Sequence, residues 1–313
     1  MVNLSVKTAM IVYNPSSGRG QYNGRTKEIV VRLESLGFTC NIKPTEYPGH
    51  AKVLAKTAPD PSEGMLVIMG GDGTFNECVN GIMEAGLNPV IGYIPSGTSC
   101  DIARTLGIPK KLDKALDIIE RNERVKVDIA SSTQGYFTYV CAIGNYVDIS
   151  HTTPRRLKRL IGFFAYLLTG IKEFFTIRIM PMTIKVDGVP LKRKYYSLIL
   201  ALNTKRVAGF RIVNWPKLDD GKLDLILFKY IPFLNNFLYL LTFMFHVRKF
   251  PGIETYKAST IEFHTPSANH WNIDGEEAGQ GRQTIKVMPK ALNVIINPAQ
   301  KTLFTNQGAS ENE

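Results

Sequence analysis

Residues 65–77, MLVIMGGDGTFNE, are where residue type and spacing point most directly to chemistry. Gly70, Gly71 and Gly73 lack Cβ, so a turn here can take positive φ and admit a ligand to the main chain. Asp72 inside an anion-binding turn makes sense when a cation accompanies the anion, as Mg²⁺ accompanies nucleotide phosphates. Two other loops carry similar small and hydroxylated residues: NPSSGRG at 14–20 and PSGTSCD at 95–101. Together Asn14, Ser16, Ser17, Gly18, Asp72, Thr74, Ser96, Gly97, Thr98 and Asp101 suit a phosphate cradled by main-chain N–H and hydroxyl groups, with Mg²⁺ balancing the charge.

The surrounding pattern predicts the elements that position these loops. The apolar run Met65–Met69 reads as a strand, and Phe75, Cys78, Val79, Ile82 and Met83 share one helical face after the glycines. N–H groups at the start of that helix would point at a bound anion. Further strands are predicted at 8–13, 38–43, 90–94 and 124–130. Helices are predicted before Gly37, over 49–58, from Asp101 to about Leu106, and over 112–121. Such alternation implies a doubly wound, mostly parallel α/β sheet, whose ligands gather at the carboxyl ends of its strands. All three loops leave such ends, so they are expected to share one crevice. Beyond residue 130 the rhythm changes to β-rich runs at 137–147, 176–186, 195–203, 223–230, 259–264, 270–274 and 284–288, with a hairpin turn at Asp187-Gly188. An antiparallel β-sandwich or barrel is expected there, forming a second domain. The apolar run Leu292–Ile296 is free to return to the first domain, and the residues from Asn306 are polar.

Several classes are disfavoured. The chain has no G-x-x-x-x-G-K-[ST], no G-x-G-x-x-G and no G-x-S-x-G, which counts against P-loop enzymes, dinucleotide oxidoreductases and serine hydrolases. Its four cysteines are widely spaced and read as buried thiols of a reducing compartment. A net charge of +11 points to an anionic partner. No helix-turn-helix or zinc motif supports nucleic acid in that role. The polar N-terminus lacks a signal-peptide layout, and the uncharged runs 160–171 and 230–245 are shorter than the roughly 18 residues of a spanning helix.

NPSSGRG, GGDGTFNECVNGI, IPSGTSCDIARTLGIP, LDDGKLDL and NIDGE occur in this order across roughly residues 8–300. The set resembles the bacterial diacylglycerol kinase-type lipid kinases, relatives of sphingosine kinases and, more distantly, of NAD kinases and phosphofructokinases. The resemblance implies a nucleotide domain at 1–130, joined by a return strand at 292–305, and a β-sandwich lipid-acceptor domain at 131–291. It implies ATP-dependent phosphorylation of a lipid hydroxyl, diacylglycerol or similar. Gly71, Asp72, Gly73, Thr74, Phe75, Asn76, Glu77 and Thr98 would contact ATP, with Asn14 and Ser17 by the phosphates and Thr45 on the nucleotide. Gly70 and Gly97 belong to the same turns. Asp72 and Asp101 would serve the phosphate–Mg²⁺ assembly. Asp274 or Glu276 would take the proton from the acceptor hydroxyl, the sequence leaving open which one. A structural Mg²⁺ would rest on Asp220 and the carbonyls of Lys217 and Lys222. Two departures stand out: Cys100 replaces the asparagine of the usual G-T-x-N-D, and TKRVAGF after Asn203 is poorer in glycine than the family's run.

Arg155, Arg156, Lys158 and Arg159 precede LIGFFAYLLTGIKEFF, a basic amphipathic stretch suited to an anionic membrane interface. The segment 233–249 has similar character. The expectation is a cytoplasmic protein, peripherally associated with an anionic membrane, taking a lipid substrate and no nucleic acid. The oligomeric state stays open, a homodimer included. Two rival readings are an NAD kinase-like small-molecule kinase and a nucleotide-binding regulator without turnover.

Overall fold

The computed structural model describes residues 7–17, 24–145, 179–207, 210–212, 217–232, 234, 235, 238, 239, 250–265 and 268–305. Gly18, the basic stretch 155–175, most of 233–249 and the tail from 306 lie outside them. The chain forms two compact units. The first comprises residues 1–129, 217–220 and 289–313, and the second 130–216 and 221–288. The short run 217–220 thus sits with the first unit, apart from the strands on either side of it.

The first unit alternates strands and helices. In chain order these are β1 (Lys7–Tyr13), α1 (Thr26–Ser35), β2 (Phe38–Pro44), α2 (His50–Ala55), β3 (Gly64–Gly70), α3 (Asp72–Glu84), β4 (Val90–Pro95), α4 (Asp101–Thr105), α5 (Leu112–Arg121) and β5 (Arg124–Ser132). β3 and β4 are apolar runs buried along their whole length, as central parallel strands are. β2 alternates in exposure and forms the edge. The parallel order is β2-β1-β3-β4, extended by the end of a late strand whose Asn293 and Val294 pair with Val90 and Ile91. The order reverses about β1, so β1 and β3 flank the switch point where ligands of such sheets bind. α3 buries Phe75, Cys78, Val79 and Ile82, and α5 buries Leu112, Ala115, Leu116 and Ile119, both at helical spacing.

The second unit is a β-sandwich. Its strands are β6 (Gly135–Phe137), β7 (Val140–Gly144), β8 (Met180–Val186), β9 (Val189–Pro190), β10 (Lys194–Leu202), β11 (Arg206–Val207), β12 (Phe210–Arg211), β13 (Leu223–Lys229), β14 (Ile253–Ala258), β15 (Thr260–His264), β16 (His270–Ile273) and β17 (Glu276–Gln280). The last strand, β18 (Gln283–Ile295), begins here and ends in the first unit. One sheet runs β17-β16-β7-β10-β13-β14; β8 joins it through three residue pairs with β10 and then pairs with β15, which pairs with β18. Met182, Ile184, Phe263 and Ile285 meet Phe137, Ile143, Tyr196 and Trp271 in the shared core. Asp187 and Gly188 take φ of 48° and 80°, the primed turn predicted for that hairpin.

No helix among the described residues is long and apolar enough to cross a membrane. The cysteines are free. Burial pushes the thiols of Cys78 and Cys141 far up, that of Cys100 up to about 11, and that of half-buried Cys40 up to a lesser degree. Iodoacetamide on the native protein is therefore expected to label Cys40 first, the other three reacting only on unfolding. Peptide mass mapping checks this, and early labelling of Cys100 would contradict the closed 95–101 loop.

Candidate active site

Three loops at strand carboxyl ends meet in the first unit. The Asn14 N–H donates to Met69 O at 3.0 Å, and the Ser96 N–H to Gly70 O at 2.8 Å, so each outer loop is pinned to β3. Side chains close the set: Asn14 Nδ2 donates to Thr74 Oγ1 at 3.4 Å, and Ser96 Oγ to Ser17 Oγ at 2.7 Å. Thr45 joins them at the end of β2, its N–H donating to Tyr13 O at 2.8 Å. The convergence expected from the sequence is thus present at the β1/β3 switch point.

The glycines do a different job from the one expected. None of Gly70, Gly71 and Gly73 has positive φ; Gly71 is extended, with φ −90°. Their smallness serves close approach. A Cβ on Gly70 would lie 2.5 Å from Thr74 Cβ, and one on Gly97 would lie 2.6 Å from Gly71 Cα. A Cβ on Gly73 would meet nothing within 4 Å. Gly73 therefore borders open space at the first turn of α3, which no side chain caps. Uncapped N–H groups of a thirteen-residue helix beside open space are donors that can hold an anion.

Asp72 and Asp101 begin α3 and α4, and both are buried. The Asp72 carboxylate accepts from the Ile102 N–H and from Ser99 Oγ, each at 3.3 Å, so it ties the third loop to the second. Burial holds the Asp72 carboxyl above its ordinary range, against the pull of the neighbouring amides. Cys100 sits between them in the left-handed region, φ 50°, where asparagine is much better tolerated than cysteine. That is a physical reason for the asparagine of the usual motif. Lys110 Nζ reaches the Thr98 carbonyl and steadies the same loop. Of the remaining nucleotide candidates, Phe75 packs on Tyr93, Asn76 accepts from Asn80 Nδ2, and the Glu77 carboxylate receives the Ala51 N–H at 3.2 Å. Phe75 and Glu77 thus hold α3 in place.

In the second unit, Asp274 and Gly275 form the two-residue turn between β16 and β17, with φ of 48° and 89°. Asp274 is buried, and both oxygens of its carboxylate accept hydrogen bonds from the segment 138–140. The Thr138 N–H and Oγ1 lie 2.6 and 2.7 Å from Oδ2, and the Tyr139 and Val140 N–H lie 3.0 and 2.9 Å from Oδ1. Desolvation still holds its carboxyl above the ordinary range. Glu276, two residues on, is exposed. The sequence offered no signal for the Thr138, Tyr139 and Val140 N–H donors, because they are main-chain amides.

The hexapeptide carrying Lys217, Asp220 and Lys222 turns at Gly221, φ 70°. The Leu218 carbonyl accepts from the Asp128 N–H, and Asp219 is tied to Thr305 through both oxygens. Lys217 Nζ caps the Thr302 and Phe304 carbonyls. Among the described residues no three His, Cys, Asp or Glu side chains form a metal-binding group. A cation here would rest on Asp220 and main-chain carbonyls, an oxygen-only donor set that fits Mg²⁺ chemistry.

A family model for the diacylglycerol kinase catalytic domain matches residues 8–132, and one for the YegS C-terminal NAD kinase beta sandwich-like domain matches 143–296. A diacylglycerol kinase of Staphylococcus carnosus (strain TM300) is 34% identical over 277 residues, covering 88% of this chain and 90% of the relative. One from Staphylococcus aureus (strain bovine RF122 / ET3-1) is also 34% identical, over 88% and 87%. A solved Bacillus anthracis str. Sterne structure bearing the diacylglycerol kinase name superposes with TM-score 0.79 at 25% identity, over 94% of this chain and 97% of that one. An NAD kinase from Archaeoglobus fulgidus solved with ATP shares the fold, TM-score 0.53 at 16% identity, over 94% and 95%. With both halves matched in order and named relatives aligned along nearly its full length, the chain belongs to the diacylglycerol kinase family.

Proposed function

We propose that this protein transfers the γ-phosphoryl group of ATP to a lipid hydroxyl, with diacylglycerol as the acceptor. The observation that carries the reading is the gathering of loops 14–17, 70–74 and 95–101 around the uncapped start of α3. In this reading the α3 amides and the hydroxyls of Ser17, Thr74 and Thr98 bind the phosphates, while Thr45 meets the nucleotide. Asn14 orients Thr74, and the close contact of Gly71 with Gly97 keeps the cradle shallow enough for the phosphates to reach the main chain.

Glu276 is assigned as the general base. A base must be accessible and have a lone pair to spare, and Asp274 is buried with both oxygens bonded. Glu276 is exposed at the start of β17. Its carboxylate would take the acceptor proton as the hydroxyl oxygen attacks phosphorus. Mg²⁺ would be held by Asp72 and Asp101 at the phosphates, and by Asp220 with the Lys217 and Lys222 carbonyls at the structural site. It would supply neutralisation of phosphate charge. The basic segment 155–159 and the charge of +11 support peripheral contact with an anionic membrane, where such an acceptor resides.

The test is an acceptor panel: diacylglycerol, a sphingoid base, phosphatidylglycerol and NAD, each with ATP, with Mg²⁺ present or chelated. The expected result is Mg²⁺-dependent phosphorylation of diacylglycerol in micelles and none of NAD. Phosphorylation of NAD in the absence of lipid would transfer the assignment to the small-molecule kinases.

A further inference from the structure

The segment joining β6 to β7 does more than connect two strands. Three consecutive amides, at Thr138, Tyr139 and Val140, point at one carboxylate and form an anion nest. The occupant comes from the protein itself, Asp274. The grip is reciprocal, since the Asp274 N–H donates to Val140 O at 2.9 Å. A second bond, from the Gly275 N–H to Asn272 Oδ1 at 3.0 Å, fixes the next residue of the turn. From the other side, Asn203 at the end of β10 donates its N–H to Tyr139 O at 2.9 Å and its Nδ2 to Thr138 O at 3.3 Å. Four strands, β7, β10, β16 and β17, are thereby fastened around one short segment.

Resting on the assignment of Glu276 as base, we propose that Thr138 is a positioning residue for the phosphoryl-transfer step. Its hydroxyl and amide hold the Asp274 carboxylate, and through it the turn that presents Glu276. Asp274 occupies the left-handed region at φ 48°, a conformation uncommon for residues other than glycine. Bonds that select this conformation also select the direction in which β17 leaves the turn. Of the donors from 138–140, Thr138 Oγ1 is the side-chain one, and so the part of this clamp open to substitution. Without the hydroxyl, Oδ2 keeps the Thr138 N–H and loses its second donor there, so the buried carboxylate is held less tightly, and Glu276 would follow any shift of the turn.

The experiment compares Thr138→Val, which keeps the shape and loses the hydroxyl, with Thr138→Ser, which restores it. Rates are read with ATP and diacylglycerol micelles, well below each variant's Tm. Loss of one hydrogen bond to a charged group predicts a fall in kcat of about tenfold for Thr138→Val, with KM for ATP unchanged. Thr138→Ser is expected to recover the wild-type kcat within about twofold. Wild-type kcat in Thr138→Val, or a serine variant as slow as the valine variant at equal Tm, would overturn the proposal. If Thr138→Val does not fold, Asn203→Ala supplies the same reading, with a fall in kcat at constant KM for ATP supporting the role and an unchanged kcat opposing it. A Glu276→Gln enzyme at full speed would sink the parent assignment instead, so the two failures are distinguishable.

Discussion

Glu276→Gln is expected to lower kcat by about 10²–10⁴-fold, the usual contribution of a positioned proton acceptor, while ATP affinity and Tm stay as in wild type. The residue is exposed and the pairing Ile273↔Glu276 is main-chain, so the amide changes nothing that holds the hairpin. Asp274→Asn is expected to behave differently. One oxygen of the carboxylate becomes an NH₂ group facing N–H or O–H donors, so at least one buried donor loses its acceptor. Each such loss costs about 1–3 kcal/mol, and a lowered Tm should accompany the lowered activity. Steady-state kinetics and thermal melts of the pair separate the two roles. If Glu276→Gln retained full turnover while Asp274→Asn folded normally and lost it, the assignment would be reversed.

A second contrast tests the phosphate cradle. Gly73→Ala adds a methyl group to open space in the first turn of a helix, where alanine is the better helix former by about 1 kcal/mol. The expected result is a Tm equal to or above wild type, combined with markedly weaker ATP binding, because the new methyl stands where the phosphates would lie. Gly97→Ala meets backbone instead, 2.6 Å from Gly71 Cα and 3.2 Å from Cys100 Sγ. The loop must move, and a displacement near 1 Å at a reacting group can cost about a hundredfold in rate. Calorimetric ATP titration of both variants decides the matter. ATP affinity unaffected by Gly73→Ala would place the nucleotide elsewhere.

Much of this site was legible in the chain, and the illegible parts share a cause. Strands β1, β3 and β4 announced themselves as apolar runs ending at glycine- and serine-rich loops, and from their alternation with helices the common crevice followed. The role of the glycines did not follow, because Gly71 is required by Gly97, a neighbour 26 positions away. A sequence shows that a residue is small and does not show what it must fit against. Asp274 and Glu276 looked interchangeable until burial separated them, and the amides of residues 138–140 that make the difference carry no sequence signal. Strand β14 was hidden because the charged Glu254 and the exposed Thr255 and Lys257 dilute the apolar pattern of an edge strand. β18 read as two runs because Pro289 interrupts it, at the residue where the strand passes from one unit to the other.

The central claim is that ATP held by the α3 loops gives its terminal phosphoryl group to a lipid. Its most direct test is stoichiometric. The protein is incubated with ATP, Mg²⁺ and diacylglycerol micelles, and ADP and lipid phosphate are measured together. The account predicts one lipid phosphate for each ADP formed. ADP without lipid phosphate, or bound ATP with no ADP at all, would contradict it.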